Sequence, residues 1–369
     1  MPVFNHYCHT CDAGTLAPRA LPISYNADSY SKIYNYPDLS GTAAPVIAVI
    51  SLGGGLYPTD ASAYWTSIGI DVANQPKIII IPVGGTRNRP SANDGGATYE
   101  NALDVQIIGA NCASKNTTIL FYLAVNSFNG FYDAFNSAIN TPVVVNRVRL
   151  RPSVISCSWG APEARFSSSN LTRYNKLFAA AAARGINICC ASGDNGSSNG
   201  LPGLNVDFPA SSPNVIACGG TTLTSPNLVY DASTNEIGWT GSGGGISAVF
   251  ARPAYQTGLG FSKRASPDIA MNADPVTGIK IRVNGRLLVF GGTSCVSPAM
   301  SAFIARTGTN KFVTPLLYGP TPHPNSYNDI TVGYNGPTPT STTYRAGAGY
   351  DRVTGLGSLK GKVLKQFVV

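Results

Sequence analysis

The chain is short of histidine. Its 369 residues include only His6, His9 and His323, and none stands at a strand end or helix start that would aim it at a nucleophile. A serine hydrolase using histidine as its base therefore has no candidate here, and an activated serine would have to rely on a carboxylate. Charge is scarce as well: 12% of residues are charged, and the net +8 is scattered. The densest basic run, Arg147 to Arg151, lacks interleaved aromatics and reads as a solvated loop, so nucleic acid is not an expected partner. No run of ~18 apolar residues exists, which excludes a membrane-spanning helix, and no membrane partner is expected. The first residues, MPVFNHYCHTC, lack a basic region followed by an apolar one, so no signal peptide is read there.

Glycine (40) and proline (26) are abundant, and 43% of residues are hydrophobic, enough to bury a large core beneath many loops. The expectation is an N-terminal arm, 1–30, followed by a single domain, 31–369, that is a monomer. Eight cysteines in a chain of this length do not make a disulfide scaffold. Cys157, Cys189, Cys190 and Cys218 sit in apolar runs and read as small buried residues. Cys8 and Cys11, with His6 and His9, are too crowded for a metal centre and have no second half, so a disulfide or an unpaired arm is the reading.

Six short apolar runs follow one another: 46–52, 77–83, 118–125, 153–159, 186–192 and 214–220. They are continuous and rich in β-branched residues, as strands buried on both faces require. Helical segments alternate with them at 60–68, 99–108, 130–140 and 170–184, the last stopped by Gly185. This alternation predicts an α/β fold: a doubly wound, mostly parallel sheet with helices on both faces and ligands beyond the carboxyl ends of the strands.

Three stretches carry the chemistry. In GGTSCVSPAM, after an expected hairpin turning at Asn284-Gly285, Ser294 falls at the first turn of a helix, beside unpaired backbone N–H groups. A hydroxyl exposed there can act as a nucleophile next to part of an oxyanion hole, although a Ser or Thr at such a place can equally be only a cap. In ATYENALD, Glu100 and Asp104 share one helical face and can hydrogen-bond each other if one holds a proton. Asp194, in the Gly-rich turn GDNGSSNG, lies at the carboxyl end of a strand. Each alone reads as ordinary structure; an exposed serine, three carboxylates and no available histidine together read as a site.

The ordered set ISLGGGLYPTD, YENALD, SCSWGAPE, ASGDNGS, VDFPASSPNVIACGGT, PDIAMNADP, GGTSCVSP, NDITVG and AGAGYDRVTGLGS resembles the sedolisins, or serine-carboxyl peptidases, of kumamolisin type. The resemblance implies a subtilisin-like fold and an endopeptidase acting at acid pH on peptides or unfolded proteins. It implies Ser294 as nucleophile, Glu100 as general base, Asp104 as the residue orienting that base and Asp194 as the oxyanion-hole acid. It also implies one structural Ca²⁺, bound by the carboxylates of Asp329 and Asp351 and the carbonyls of Ile330, Gly347 and Gly349, an oxygen-only set suited to a hard cation. Secretion or an acidic compartment is implied too, without fixing where the protein resides. Three features depart from the family pattern. Ser51 replaces an acid that usually precedes LGGG and shortens the proton-sharing network reaching through Trp159. No prosegment is recognisable, and the last helix is brief. The first two keep open a second reading, a catalytically weak or inactive binding or structural protein that retains the fold. Asp207, in VDFPA, is a pocket acid suited to basic or polar substrate side chains.

Overall fold

Apolar runs too short for helices and too hydrophobic for solvent pair with one another, and here they build one sheet. The structure, a computed structural model, describes residues 3–7, 9–10, 23–39, 44–319, 325–338 and 342–369; Cys8, Cys11 and His323 fall outside them. In chain order the elements that position the site are β1 (Val46–Leu52), α1 (Pro58–Ser67), β2 (Lys77–Pro82), α2 (Ala97–Asn111), β3 (Thr118–Ala124), α3 (Phe128–Asn140), β4 (Val154–Cys157), α4 (Ser168–Ala182) and β5 (Asn187–Ala191). They continue with β6 (Ile216–Thr224), β7 (Asn235–Gly238), β8 (Ile269–Asn272), β9 (Ile279–Val283), β10 (Arg286–Gly291) and α5 (Val296–Thr307). The sheet runs in the order β7-β6-β5-β4-β1-β3-β2, with β8 also pairing with β6. Every pairing is parallel except β6 with β7.

Alternate residues of each strand feed two cores. Ile47 and Val49 of β1 face the layer holding α2 and α5, while Ala48 and Ile50 face the layer holding α3 and α4. All four are 0% exposed, which explains the unbroken apolar runs; burying each isoleucine or valine contributes ~1.5–3 kcal/mol. The strand order reverses at β1, so β3 and β4 diverge from it and open a crevice at their carboxyl ends. Ser51, Ser158 and Asp194 all stand at that edge.

Two helices are buried on nearly all sides. In α2 every residue except Tyr99 is buried. Gly109 is required there, because a β-carbon at that position would strike the Trp65 ring. The Gln106 side chain binds the backbone of Arg282, donating from Nε2 to its carbonyl at 2.7 Å and accepting from its N–H at 2.8 Å, and so locks α2 to β9. The β9–β10 hairpin turns at Asn284-Gly285, with Val283 opposite Arg286 and φ of 49° and 74°, the type I′ geometry expected from that pair. The basic run around Arg147 differs from expectation: Val143–Val145 and Val148–Leu150 form an exposed hairpin of their own, not an irregular loop.

Candidate active site

Ser294 is placed by the passage from β10 into α5. Gly292 takes φ 121°, and a β-carbon there would strike both the Tyr7 carbonyl oxygen and Asp194 Oδ2, so only glycine fits. Thr293–Cys295 make one 3₁₀ turn before α5 begins. Ser297 then pins the helix to the sheet, accepting from Cys157 N–H at 3.1 Å and donating to the Cys189 carbonyl at 2.9 Å. Contrary to the expectation of an exposed hydroxyl, Ser294 is fully buried. The reason is the N-terminal segment, which lies across it: Ser294 N–H donates to the Tyr7 carbonyl at 3.1 Å.

Glu100 and Asp104 reach the same point from α2. Ser294 Oγ donates to Glu100 Oε2 at 2.9 Å, and Ser158 Oγ donates to Asp104 Oδ1 at 2.6 Å. Both carboxyls are 0% exposed. Burial first, and the Asp104 charge second, push Glu100 well above the usual carboxylate range, with the Ser294 hydrogen bond opposing. Burial likewise pushes Asp104 up to about 8, against its hydrogen bonds from Ser158 and Glu100. One oxygen of each, Glu100 Oε1 and Asp104 Oδ2, lacks any other partner. A proton held between the two carboxyls satisfies both oxygens and leaves the pair with a single charge.

Asp194 approaches from β5. Its Oδ1 accepts from Thr293 N–H at 2.8 Å and from Thr293 Oγ1 at 2.7 Å. Those two donors fix the carboxyl and leave Oδ2 beside Gly292, where the Tyr7 carbonyl oxygen also lies. Ser51, buried at the end of β1, donates to Asn101 Oδ1 at 2.5 Å. Asn101 in turn donates to the carbonyls of Gly53 at 3.2 Å and Gly55 at 3.0 Å. Trp159 Nε1 is buried without a partner, so the hydrogen-bond chain ends short of it.

The histidines require a correction. Composition alone placed none of them near Ser294, yet His6 Nδ1 lies 3.7 Å from Glu100 Oε2 and His9 Nε2 lies 3.2 Å from Asp194 Oδ2. His6 is held by its other nitrogen, 2.7 Å from the Gly95 carbonyl, and burial lowers its pKa. The Asp194 carboxylate raises that of His9. Neither ring takes the Ser294 proton, because the hydroxyl points to Glu100.

Asp207 is buried beside Gly193 and receives the Tyr7 hydroxyl. Burial pushes it up to about 8, so in acid it is a neutral carboxyl. Of the basic or polar partners that its type suggested, a hydroxyl suits it better there than a cation. Tyr7, Ser158 and Asn126 were not singled out from sequence, and Thr293 only as a candidate helix cap. Ser158 alone had a signal, since it stands one residue before Trp159 at the carboxyl end of a strand.

Asp329 and Asp351, distant in sequence, meet at one glycine loop. Gly349 N–H donates to Asp329 Oδ2 at 3.0 Å, and Gly347 N–H donates to Asp351 Oδ2 at 3.2 Å. Both glycines have open space where a β-carbon would be. Two carboxylates on a loop rich in carbonyls fit a hard, oxygen-seeking cation. Among the described residues no cluster of three or more His, Cys, Asp and Glu exists to hold a softer metal.

The chain is similar to several known proteins. Residues 104–313 match the subtilase family. The chain is 36% identical over 358 residues to kumamolisin of Bacillus sp. (strain MN-32), covering 92% of this chain and 62% of that protein. It is 30% identical over 366 residues to sedolisin of Pseudomonas sp. (strain 101), covering 91% and 60%. The chain thus spans less than two thirds of the length of either relative. Among solved structures, Pseudomonas sedolisin, a serine-carboxyl proteinase complexed with two molecules of pseudo-iodotyrostatin, matches with a TM-score of 0.81 at 29% identity, covering 95% of this chain and 99% of that one.

Proposed function

The chain belongs to the subtilase family, among its kumamolisin-like sedolisins, and we propose that it is a serine-carboxyl endopeptidase acting at acid pH. The observation carrying this reading is the 2.9 Å hydrogen bond from Ser294 Oγ to Glu100 Oε2, made with Asp104 behind the base. Glu100 takes the Ser294 proton as Oγ attacks a peptide carbonyl, and Asp104 holds Glu100 in place through the shared proton. Negative charge developing on the carbonyl oxygen is received by Ser294 N–H and by protonated Asp194. Glu100 then returns its proton to the departing amine, and water hydrolyses the ester left on Ser294.

The acid range follows from these roles. The proposed mechanism needs a neutral acid facing the oxyanion and a charged carboxylate facing the Ser294 hydroxyl at the same time, a combination suited to acid rather than alkaline solution. Asp329, Asp351 and the carbonyls of Ile330, Gly347 and Gly349 would hold a structural Ca²⁺, which ties the C-terminal loops together and takes no part in the chemistry. Digestion of casein at acid pH by the wild type, compared with Ser294→Ala, tests the reading. Loss of at least a thousandfold in the variant is expected. Equal digestion by both proteins would remove it and favour a binding protein that retains the fold.

A further inference from the structure

The densest basic run of the chain folds into a strand pair of its own. Val143 pairs with Leu150, Val144 with Arg149 and Val145 with Val148, antiparallel, around a turn at Asn146-Arg147 with φ of 49° and 65°. Two positive φ values are those of a type I′ turn, whose twist suits the strands it joins. Among the described residues no third strand joins the pair. The hairpin connects the end of α3 to the start of β4. It therefore lies at the amino ends of the parallel strands, opposite the edge that holds Ser51, Ser158 and Asp194.

Backbone and side chains alternate along it. In a hairpin closed by two residues the pair beside the turn is hydrogen-bonded and the next pair is not, so the N–H and C=O groups of Val144 and Arg149 point outward. Among the described residues neither meets a backbone partner outside the hairpin. Val143 and Leu150 pack on the core layer that holds α3 and α4, while Val148, on the same side but beside the turn, stays 58% exposed. Arg149 shares the other side with Val144, which is 63% exposed. Arg147 and Arg151, two residues to either side of Arg149, are exposed with it, and alternate residues of a strand repeat every ~6.8 Å. Among the described residues no carboxylate pairs with any of the three arginines. At the foot of the strand Arg151 and Arg184 line one cavity of about 380 Å³, which extends the positive stripe.

We propose that the free edge of Val148–Leu150 docks an extended acidic segment of another protein, with Asp or Glu at alternate positions and apolar residues between them. A strand added to this edge has the same two-residue period, so its acids fall beside the arginines and its apolar residues beside Val148, while its backbone satisfies the outward groups of Arg149. A second copy of this chain does not fit, because pairing along this edge brings arginine beside arginine. A flat anionic surface such as a bilayer meets the arginines but leaves the backbone edge unpaired. Nucleic acid finds no aromatic ring in the stripe on which to stack a base. A segment docked here leaves the cleft open, and the inference does not depend on the chemistry at Ser294.

The full chain carrying Ser294→Ala, so that no peptide is consumed, is titrated at neutral pH and low salt against a fluorescent nonapeptide of alternating Glu and Val, with anisotropy as the readout. Three competitors test the register: a peptide of the same composition with its glutamates in one block, the alternating peptide N-methylated at every glutamate, and vesicles of phosphatidylserine. The alternating peptide should bind at least tenfold more tightly than either altered peptide. Combined Arg147→Glu, Arg149→Glu and Arg151→Glu, with an unchanged melting temperature, should weaken it at least tenfold and take up a Lys-Val peptide instead. Equal binding of the block or N-methylated peptide would overturn the inference, since charge alone would then suffice. So would vesicles bound in preference to the peptide, an affinity indifferent to the three arginines, or no binding at all. The peptide comparisons use the unaltered hairpin, so they decide the matter even where the triple variant fails to fold.

Discussion

Replacing Asp194 separates its charge from its shape. Its Oδ1 accepts two hydrogen bonds from Thr293, at 2.8 and 2.7 Å, so an asparagine in its place must turn its carbonyl toward Thr293 and its NH₂ toward the cleft. The reverse orientation leaves the buried Thr293 N–H without an acceptor, at ~1–3 kcal/mol. Asp194→Asn therefore presents a donor where the protonated acid presents one, and that donor is indifferent to pH. Asp194→Ala removes the donor, which costs ~10²–10³ in kcat, or ~2.7–4 kcal/mol of transition-state stabilisation. On the proposed role, an ionised Asp194 would present a charge instead of a donor to the oxyanion, and activity would fall. In Asp194→Asn that fall should vanish: kcat/KM stays within roughly tenfold of the wild type at its optimum, ~1.4 kcal/mol, and exceeds it near neutrality. The assay is a pH–rate profile of the three proteins on one peptide. An asparagine variant as slow as the alanine variant at every pH, or one with an unchanged alkaline limb, would refute the assignment.

Ser51→Glu should move the acidic limb upward, because a carboxylate near the Glu100–Asp104 pair raises its pKa and the base is then protonated at higher pH; rate profiles of both proteins check this, and an optimum at or above pH ~7 would contradict a carboxylate base. Excess chelator should lower the melting temperature, because calcium at a hundredfold its Kd stabilises by about 2.7 kcal/mol; an unchanged melting curve together with no metal by elemental analysis would remove the site. Arg264→Met should destabilise by ~3–5 kcal/mol in urea unfolding. It strips a buried Asp268 of two charged hydrogen bonds at 2.7 and 2.6 Å, and a loss below ~1 kcal/mol would show that Asp268 is satisfied by its other partners, Tyr318 and Ala217 N–H.

The sheet was legible because its strands are buried on both faces, which leaves a continuous apolar run in the sequence. The cluster of Ser294, Glu100, Asp104 and Asp194 was legible as residue types at loop and helix starts, but not in its burial. An acid on a helix looks solvated until the rest of the helix is known, and α2 is enclosed because the hairpin and α5 cover it. His6, Tyr7 and His9 were out of reach for another reason. A strand that completes a cleft is specified by pairings with residues far along the chain, such as Asn5 with Gly160 and His9 with Gly291, and leaves no periodicity of its own. The fate of Asp207 also depended on its surroundings, since its type left basic and polar partners open and its burial beside Tyr7 favours a phenol.

A site made of carboxyls ties its chemistry to water in a way that a histidine site does not. Glu100 is a weak base for a serine hydroxyl in proportion to how low its pKa lies, and the largest influence raising that pKa is burial. Part of the burial comes from whatever fills the cleft, here His6 at 3.7 Å and Tyr7 against Ser294. On the proposed mechanism, emptying the cleft would let water reach Glu100 and bring its pKa down toward the usual carboxylate range. When a peptide enters, water leaves, and the ionised carboxylate becomes more basic at the moment a carbonyl arrives. Asp104 keeps the change from being lost to bulk protons, because the proton it shares belongs to the pair. If Glu100 is the base, substrate occupancy would thus set its strength, and each turnover would start from an open cleft in acid.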